Sequence, residues 1–222
     1  MSMNDFNYTE IPLTIAEDLN KAHTTWFDNK CVRMDEERWM TYFAFHKVEE
    51  RTIDMNNERK VQKVCLAVPV RVKKGCGTVG LLKACGDNDE LFKEVYPLFE
   101  KDNKEIVRAE LCQAIRDYDK SEAVNSFYLN GEAVWLDKDT RVGLMNSTQI
   151  QKAAGVVVTE LWFKGKSYSI ECDKAIQMLS ALELYALKCY NVTAQHLSEV
   201  DCLNEGFNQY DYTVGYPEKP SF

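Results

Sequence analysis

The sequence predicts an α+β fold of antiparallel hairpins and helices, and three observations carry that expectation. The C-terminal half repeats a hairpin–helix pattern at an interval of 34 residues. The segment from Arg38 to Lys73 holds two runs rich in strand formers, joined by a polar turn. Between these regions, Asp102 to Tyr118 places its apolar residues at helical spacing.

Taken in order, residues 1–36 are polar and irregular, with Ile11, Pro12 and Leu13 the early apolar cluster. A short helix is expected around Thr14–Thr24. From Arg38 to Arg51, the residues Trp39, Tyr42, Phe43, Ala44 and Phe45 favour a strand. The Lys60–Lys73 run alternates around Val64, Leu66, Val68, Val70 and Val72. That is the period of a half-buried strand. Asn56-Asn57, within Asp54–Glu58, supplies the hairpin connection. Pro69 cannot donate to a ladder, so the second strand is expected at an edge or at a bulge. An isolated hairpin is marginal in water, so this one is expected to pack on another copy or a partner.

Gly75 to Gly86 is glycine-punctuated around a short apolar piece, Val79–Ala84. Asp87 is placed as the N-cap of a short helix over Asn88–Leu98, with Pro97 near its end. Asp102 or Asn103 then caps a helix to about Tyr118, with Val107, Leu111, Ala114, Ile115 and Tyr118 on its apolar face. The charged run Lys101–Glu105 marks the expected boundary between two domains. Residues 1–100 form an N-terminal α+β module with the long hairpin, and residues 101–222 form the duplicated hairpin–helix domain.

In the first copy, a hairpin at Ser126–Leu136 leads to a helix from about Lys138 to Ala154, closed by Gly155. In the second, a hairpin at Thr159–Ile170 leads to a helix from about Asp173 to Cys189, and a further helix runs from a Thr193 cap to Leu203. Gly131 aligns with Gly165, Leu136 with Ile170, Asp139 with Asp173 and Val142 with Ile176. Repeated supersecondary units serve to stack or to present a surface. The carboxylates Asp137, Asp139, Glu171 and Asp173 fall at the two helix starts. There they are read as the same cap made twice, complementing the helix dipole, rather than as an acid–base or metal pair.

The chemistry of the chain excludes more than it offers. With 222 residues and 45% hydrophobic content, there is enough chain for a real core. The net charge of −8 gives nothing to counterion release, so no nucleic-acid partner is expected. Gly75-Cys76-Gly77-Thr78-Val79-Gly80 has the spacing of a dinucleotide loop, but the helix after it is too short and the strands before it look antiparallel. It is read as a turn, and no cofactor is expected. None of the eight cysteines forms a Cys-x-x-Cys pair, and His23, His46 and His196 lie far apart, so no metal site is expected. Cys76 or Cys85 with His46 has nothing to bring nucleophile and base together. No apolar run reaches the ~18 residues a membrane span needs, and no signal peptide opens the chain. A soluble chain with free thiols, made in a reducing compartment, is expected, with no catalytic residues. The tail from Tyr210 to Pro217 is extended and rich in tyrosine. Tyr210, Tyr212 and Tyr216, together with Trp135 and Trp162, are the candidate protein-binding residues. A tail packed over the domain's own sheet is the simpler use of the tyrosines, compatible with the first.

The stretches Asn125–Gly131, Trp135–Lys138, Thr140–Ser147, Ala181–Ala186, Tyr210–Tyr212 and Gly215–Pro217 carry a resemblance. Over about Glu105–Phe222, the chain resembles a domain-of-unknown-function family of phage and prophage proteins associated with tail fibres and tail assembly. The resemblance implies a non-enzymatic virion or tail-assembly protein. It would act through protein–protein contacts with other phage structural proteins or with itself as a homo-oligomer, in the virion or the host cytoplasm. The alternative is a soluble phage accessory protein that binds a host factor, such as a defence inhibitor. The resemblance brings no functional residue with it, and residues 1–100 resemble no family.

Overall fold

The computed structural model describes residues 8–11, 38–55 and 58–222. The expected helix at Thr14–Thr24 lies outside the described residues. The chain divides into two compact units. One contains residues up to Glu110 together with Asn204–Phe207, and the other contains Leu111–Leu203 and Asn208–Phe222. The observed α+β architecture consists of three antiparallel sheets and five α-helices among the described residues.

The first unit is built on the long hairpin. Strands β2 (Trp39–Met55) and β3 (Glu58–Lys73) pair antiparallel along their length, and Met55 stands opposite Glu58 across a two-residue connection. The short strand β1 (Thr9–Ile11) adds to the other side of β3, facing Cys65–Ala67. The sheet order is therefore β1-β3-β2, and β3 is its central strand. This corrects the edge expected from Pro69. Among the described residues, β1 pairs with β3 at residues 65–67, short of Pro69, whose missing N–H is then not asked of that pairing. The bulge expectation is met on the partner strand. The register shifts between Ala44 and Lys47, where two residues of β2 stand against one of β3.

Helix α1 (Thr78–Ala84) follows the glycine-rich turn. Helix α2 (Asp89–Asp102) is capped not by Asp87 but by Asn88, whose side chain accepts from the Glu90 and Leu91 N–H groups. Asp87 itself sits at φ 55, in the left-handed region, and so belongs to the turn. Pro97 lies inside α2 rather than near its end, and the helix runs on to Asp102. Leu91, Val95, Tyr96 and Phe99 form its buried stripe. The Phe99 ring meets the edge of Tyr42 from β2 at 6.1 Å. Asn103 is the C-cap of α2. Its side-chain amide donates to the Phe99 carbonyl and to the Tyr42 hydroxyl, while its backbone carbonyl accepts the Val107 N–H that opens α3 (Lys104–Lys120). The Asn103 side chain thus closes one helix instead of capping the next.

Residues Asn204–Phe207 belong to this first unit. The buried carboxylate of Glu100 accepts the Gly206 and Phe207 N–H groups at 2.9 and 2.7 Å. Lys104 reaches Asn204, and the Arg108 guanidinium lies over the Phe207 ring.

The second unit contains the duplication. Hairpin β4 (Ser126–Leu129) and β5 (Glu132–Trp135) precedes α4 (Lys138–Ala153), and hairpin β6 (Val158–Phe163) and β7 (Lys166–Glu171) precedes α5 (Cys172–Cys202). The two hairpins share one register: Phe127 faces Val134 as Leu161 faces Tyr168, and Leu129 faces Glu132 as Phe163 faces Lys166. Both turns place two successive residues at positive φ, Asn130-Gly131 and Lys164-Gly165. That is the primed turn geometry that follows the right-handed twist of the strands.

Both copies contribute to one core. Phe127 and Leu161, Leu129 and Phe163, Val134 and Tyr168, Leu136 and Ile170, Leu144 and Met178, and Met145 and Leu179 are six pairs of equivalent positions, all in the same cluster. Equivalent positions also meet directly, Lys166 Nζ lying 2.5 Å from Glu132 Oε1.

The copies differ at their helix ends. Gly155, at φ 85, stands just past α4, whereas its equivalent in the second copy is Cys189, buried within α5. With no glycine stop there, α5 continues through Thr193 to Cys202 as one helix, not the two expected. Thr193 caps nothing. Its hydroxyl donates to Asp119 and lies 2.9 Å from the Tyr216 hydroxyl. The caps differ as well. Asp137 accepts the Thr140 N–H and hydroxyl, and these bonds hold its carboxyl below the usual range. Glu171 makes no side-chain cap, and Glu171 and Asp173 pair instead with Lys174 and Lys152. The cap expected twice is made once.

Candidate interaction surface

The tail of the second unit folds back on helices rather than lying across a sheet as expected. The Tyr118 ring, on α3, meets the rings of Tyr212 and Tyr216 edge-on at 5.6 and 5.5 Å. Buried His196, on α5, has Nδ1 2.7 Å from the Tyr210 hydroxyl and Nε2 3.0 Å from the Val214 carbonyl. Tyr210 in turn donates to Glu199 at 2.6 Å. Burial, with the Glu199 carboxylate beside it, pushes the Tyr210 phenol upward, and the Tyr210 bond holds Glu199 down. Only the last residues run along a strand. Tyr128 N–H donates to the Pro220 carbonyl, Phe222 N–H to the Tyr128 carbonyl and Asn130 N–H to the Phe222 carbonyl.

The five aromatic candidates therefore divide. Tyr210, Tyr212 and Tyr216 are half-buried against their own unit. Trp135 and Trp162 are left to solvent, at 41% and 65% exposure.

Large exposed apolar side chains recur at equivalent positions of the two copies: Tyr128 with Trp162, Ile150 with Leu184 and Val156 with Tyr190. Scattered surface apolar residues need no explanation, but a recurrence at three equivalent pairs reproduces a pattern on both copies.

The copies part where a buried position turns polar. Arg141, in α4, is buried, whereas its equivalent Ala175 is a fully buried apolar residue. The Arg141 Nε donates to Glu183 at 3.0 Å and Nη1 to the Leu136 carbonyl at 3.0 Å. Thr148, also buried, donates its hydroxyl to the Leu144 carbonyl where the second copy has Leu182. Beside Arg141 opens a groove of about 760 Å³ whose walls include Trp135, Leu187 and Tyr190. Of these residues, sequence reasoning singled out Trp135 and missed Arg141, Leu187 and Tyr190. The available signal was the alignment of Arg141 with Ala175 in the duplication.

Among the described residues, Cys76, Cys85, Cys112, Cys172, Cys189 and Cys202 are free thiols. Burial pushes the Cys85 thiol up to about 11, and burial together with the Glu110 carboxylate raises Cys76. His46 lies on β2, at the register shift facing β3. Among the described residues, no group of three or more His, Cys, Asp or Glu could hold a metal ion, and no helix is long and apolar enough to cross a membrane. No protein-family model, curated protein or solved structure matches the chain.

Proposed function

We propose that this protein is a non-enzymatic phage structural or tail-assembly protein that acts through protein–protein contacts. The observation that carries the reading is the recurrence of exposed apolar side chains on the two copies, Tyr128/Trp162, Ile150/Leu184 and Val156/Tyr190. Exposed large apolar groups cost solubility, and their retention on both copies fits a surface that is covered in use. The resemblance of residues 105–222 to tail-associated phage proteins gives that surface its setting, in the virion or the host cytoplasm. Partners are other phage structural proteins or further copies of this chain.

The deciding experiment is mass spectrometry of purified virions from a phage encoding this chain, with copy number scaled to the major capsid protein. A small symmetric multiple is expected. Absence from virions, with abundance in infected cells, would remove the structural role. A pull-down would then separate an assembly chaperone from the alternative, an accessory protein that binds a host factor.

A further inference from the structure

We propose that the outer edge of β6 pairs with the same edge of a second copy of this chain, antiparallel about Trp162, joining the two β6–β7 hairpins into one continuous sheet. The proposal rests on the reading of the protein as an interaction module, and it names the surface and the partner.

The duplication shows what this edge can do. In the first copy the equivalent edge is occupied. Tyr128 N–H donates to the Pro220 carbonyl, Phe222 N–H to the Tyr128 carbonyl and Asn130 N–H to the Phe222 carbonyl. The equivalent groups of the second copy are the N–H and C=O of Trp162 and the N–H of Lys164. None of them has a backbone partner among the described residues, where β6 pairs with β7 alone. Their direction follows from the register. Phe163 and Lys166 close the Lys164-Gly165 turn. Trp162, one place along and opposite Ser167, therefore turns its N–H and C=O away from β7. Lys164, at φ 49, matches Asn130, at φ 51, which offers its N–H to the tail from that same turn position.

The side chains say which strand fits. Edge strands are commonly guarded against self-pairing, and charges of one sign would do so here by repelling a second copy. The β6 edge carries opposite signs instead, with Glu160 and Lys164 evenly spaced about Trp162, all three exposed. Across the hairpin, Glu160 and Trp162 face Ser169 and Ser167, which offer no charge. The Glu160 and Lys164 side chains have no hydrogen bond or ion pair among the described residues. Glu132, near Lys164, takes its ion pair from Lys166. An antiparallel copy centred on Trp162 sets Glu160 opposite the partner's Lys164 and lays one Trp162 ring beside the other. Such a pairing uses one patch twice and closes a dimer. Cross-strand pairs of opposite charge and of aromatic rings are the contacts that stabilise a sheet. The covered edge lacks this design, with Ser126 where the open edge has Glu160 and Asn130 where it has Lys164.

The test is sedimentation equilibrium of the full chain, which should show a dimer by about 100 µM. Glu160→Lys and Lys164→Glu should each weaken it at least about tenfold, since each sets like charges opposite one another at both ends of the pairing. An equimolar mixture of the two variants should regain the dimer, because their charges then oppose each other. Glu160→Lys/Lys164→Glu should associate as the unaltered chain does. Trp162→Pro removes an outward N–H and asks nothing of the β7 ladder. It should be monomeric with its far-UV circular dichroism unchanged, and the mixture keeps the test independent of whether that proline is tolerated. A monomer throughout, a dimer that survives a folded Trp162→Pro, or a mixture no tighter than the separate variants would overturn the proposal. These outcomes are separate from the virion measurement. A virion component that stays monomeric in solution loses only this contact, and a β6-paired dimer absent from virions loses only the tail role.

Discussion

Glu110 caps a helix that begins 32 residues before it: its carboxylate accepts the Thr78 backbone N–H at 3.0 Å and the Thr78 hydroxyl at 2.7 Å. This relationship bears on one glycine, Gly77, of the stretch that imitates a dinucleotide loop; Gly80 lies against Cys76 instead, and Gly75 sits at φ 77. The end of α1, where a phosphate would sit in such a loop, is taken by a side chain of α3. A Cβ at Gly77 would collide with the Glu110 carboxylate, the end of a flexible side chain, which would have to shift away. Gly77→Ala should displace the carboxylate and cost about 1 kcal/mol, the worth of an exposed cap. Glu110→Ala should cost a similar amount. The double variant should cost no more than Glu110→Ala alone, because both changes remove one interaction. Urea denaturation of the four proteins checks this, and additive losses would refute the shared origin.

Glu100 should matter more than its single charge implies. It is buried and satisfies two backbone N–H groups, those of Gly206 and Phe207. Glu100→Ala leaves both donors without their acceptor and should cost about 2–3 kcal/mol. Hydrogen exchange should locate the loss, with the Gly206 and Phe207 amides speeding up before amides of the β4–β5 hairpin change.

Thiol labelling should follow burial. Cys85, Cys172 and Cys189 are buried and Cys202 is exposed. Iodoacetamide at pH 8 should modify Cys202 before these three, which should stay unmodified until unfolding, read by peptide mass spectrometry. The pH dependence has a definite sign. An ordinary thiol ionises at 9.0 and Cys85 at about 11, so folding favours the neutral thiol. Its contribution is fully present below pH 9 and disappears as pH rises to about 11, where the folded thiol also ionises. Cys85→Val should flatten that part of the stability profile.

The two polar departures from the repeat should behave oppositely. Arg141→Ala leaves the Leu136 carbonyl and Glu183 without their donors, and should destabilise by about 2–4 kcal/mol. Thr148→Val removes a hydroxyl bonded only to the Leu144 carbonyl of its own helix, and should be neutral within about 0.5 kcal/mol. Equal losses in thermal melts would show that Thr148 does more than fill space.

The duplication was legible because it rests on local signals. The Asn130-Gly131 and Lys164-Gly165 turns, the alternation of Phe127 and Leu129, and the Asp137 cap each declare themselves within a few residues. What escaped depends on distant partners. The place of β3 at the centre of its sheet is set by Thr9–Ile11, more than fifty residues away in sequence, so Pro69 misdirects a local reading. Thr193 has the chemistry of a cap and spends it on Asp119 and Tyr216. Glu110 reads as one more charge on an exposed helix face until Thr78 is brought to it. The groove was half visible, in Trp135. Leu187 and Tyr190 lie off the buried stripe of Leu179, Leu182, Tyr185 and Cys189, and no local signal marks them as groove walls.

The return of Asn204–Phe207 to the first unit delays its completion during synthesis until almost the whole chain has emerged. A chain emerging from the ribosome has made β2, β3 and α2 long before Gly206 and Phe207 appear, and domains ordinarily fold in the order of their emergence. Here Glu100 waits for backbone donors that arrive about a hundred residues later. The duplicated core, Phe127 through Leu182, is entirely translated before them. The earliest-made unit thus stays unfinished until nearly the whole chain has been made, and a stop just before Gly206 would leave Glu100 without both backbone donors.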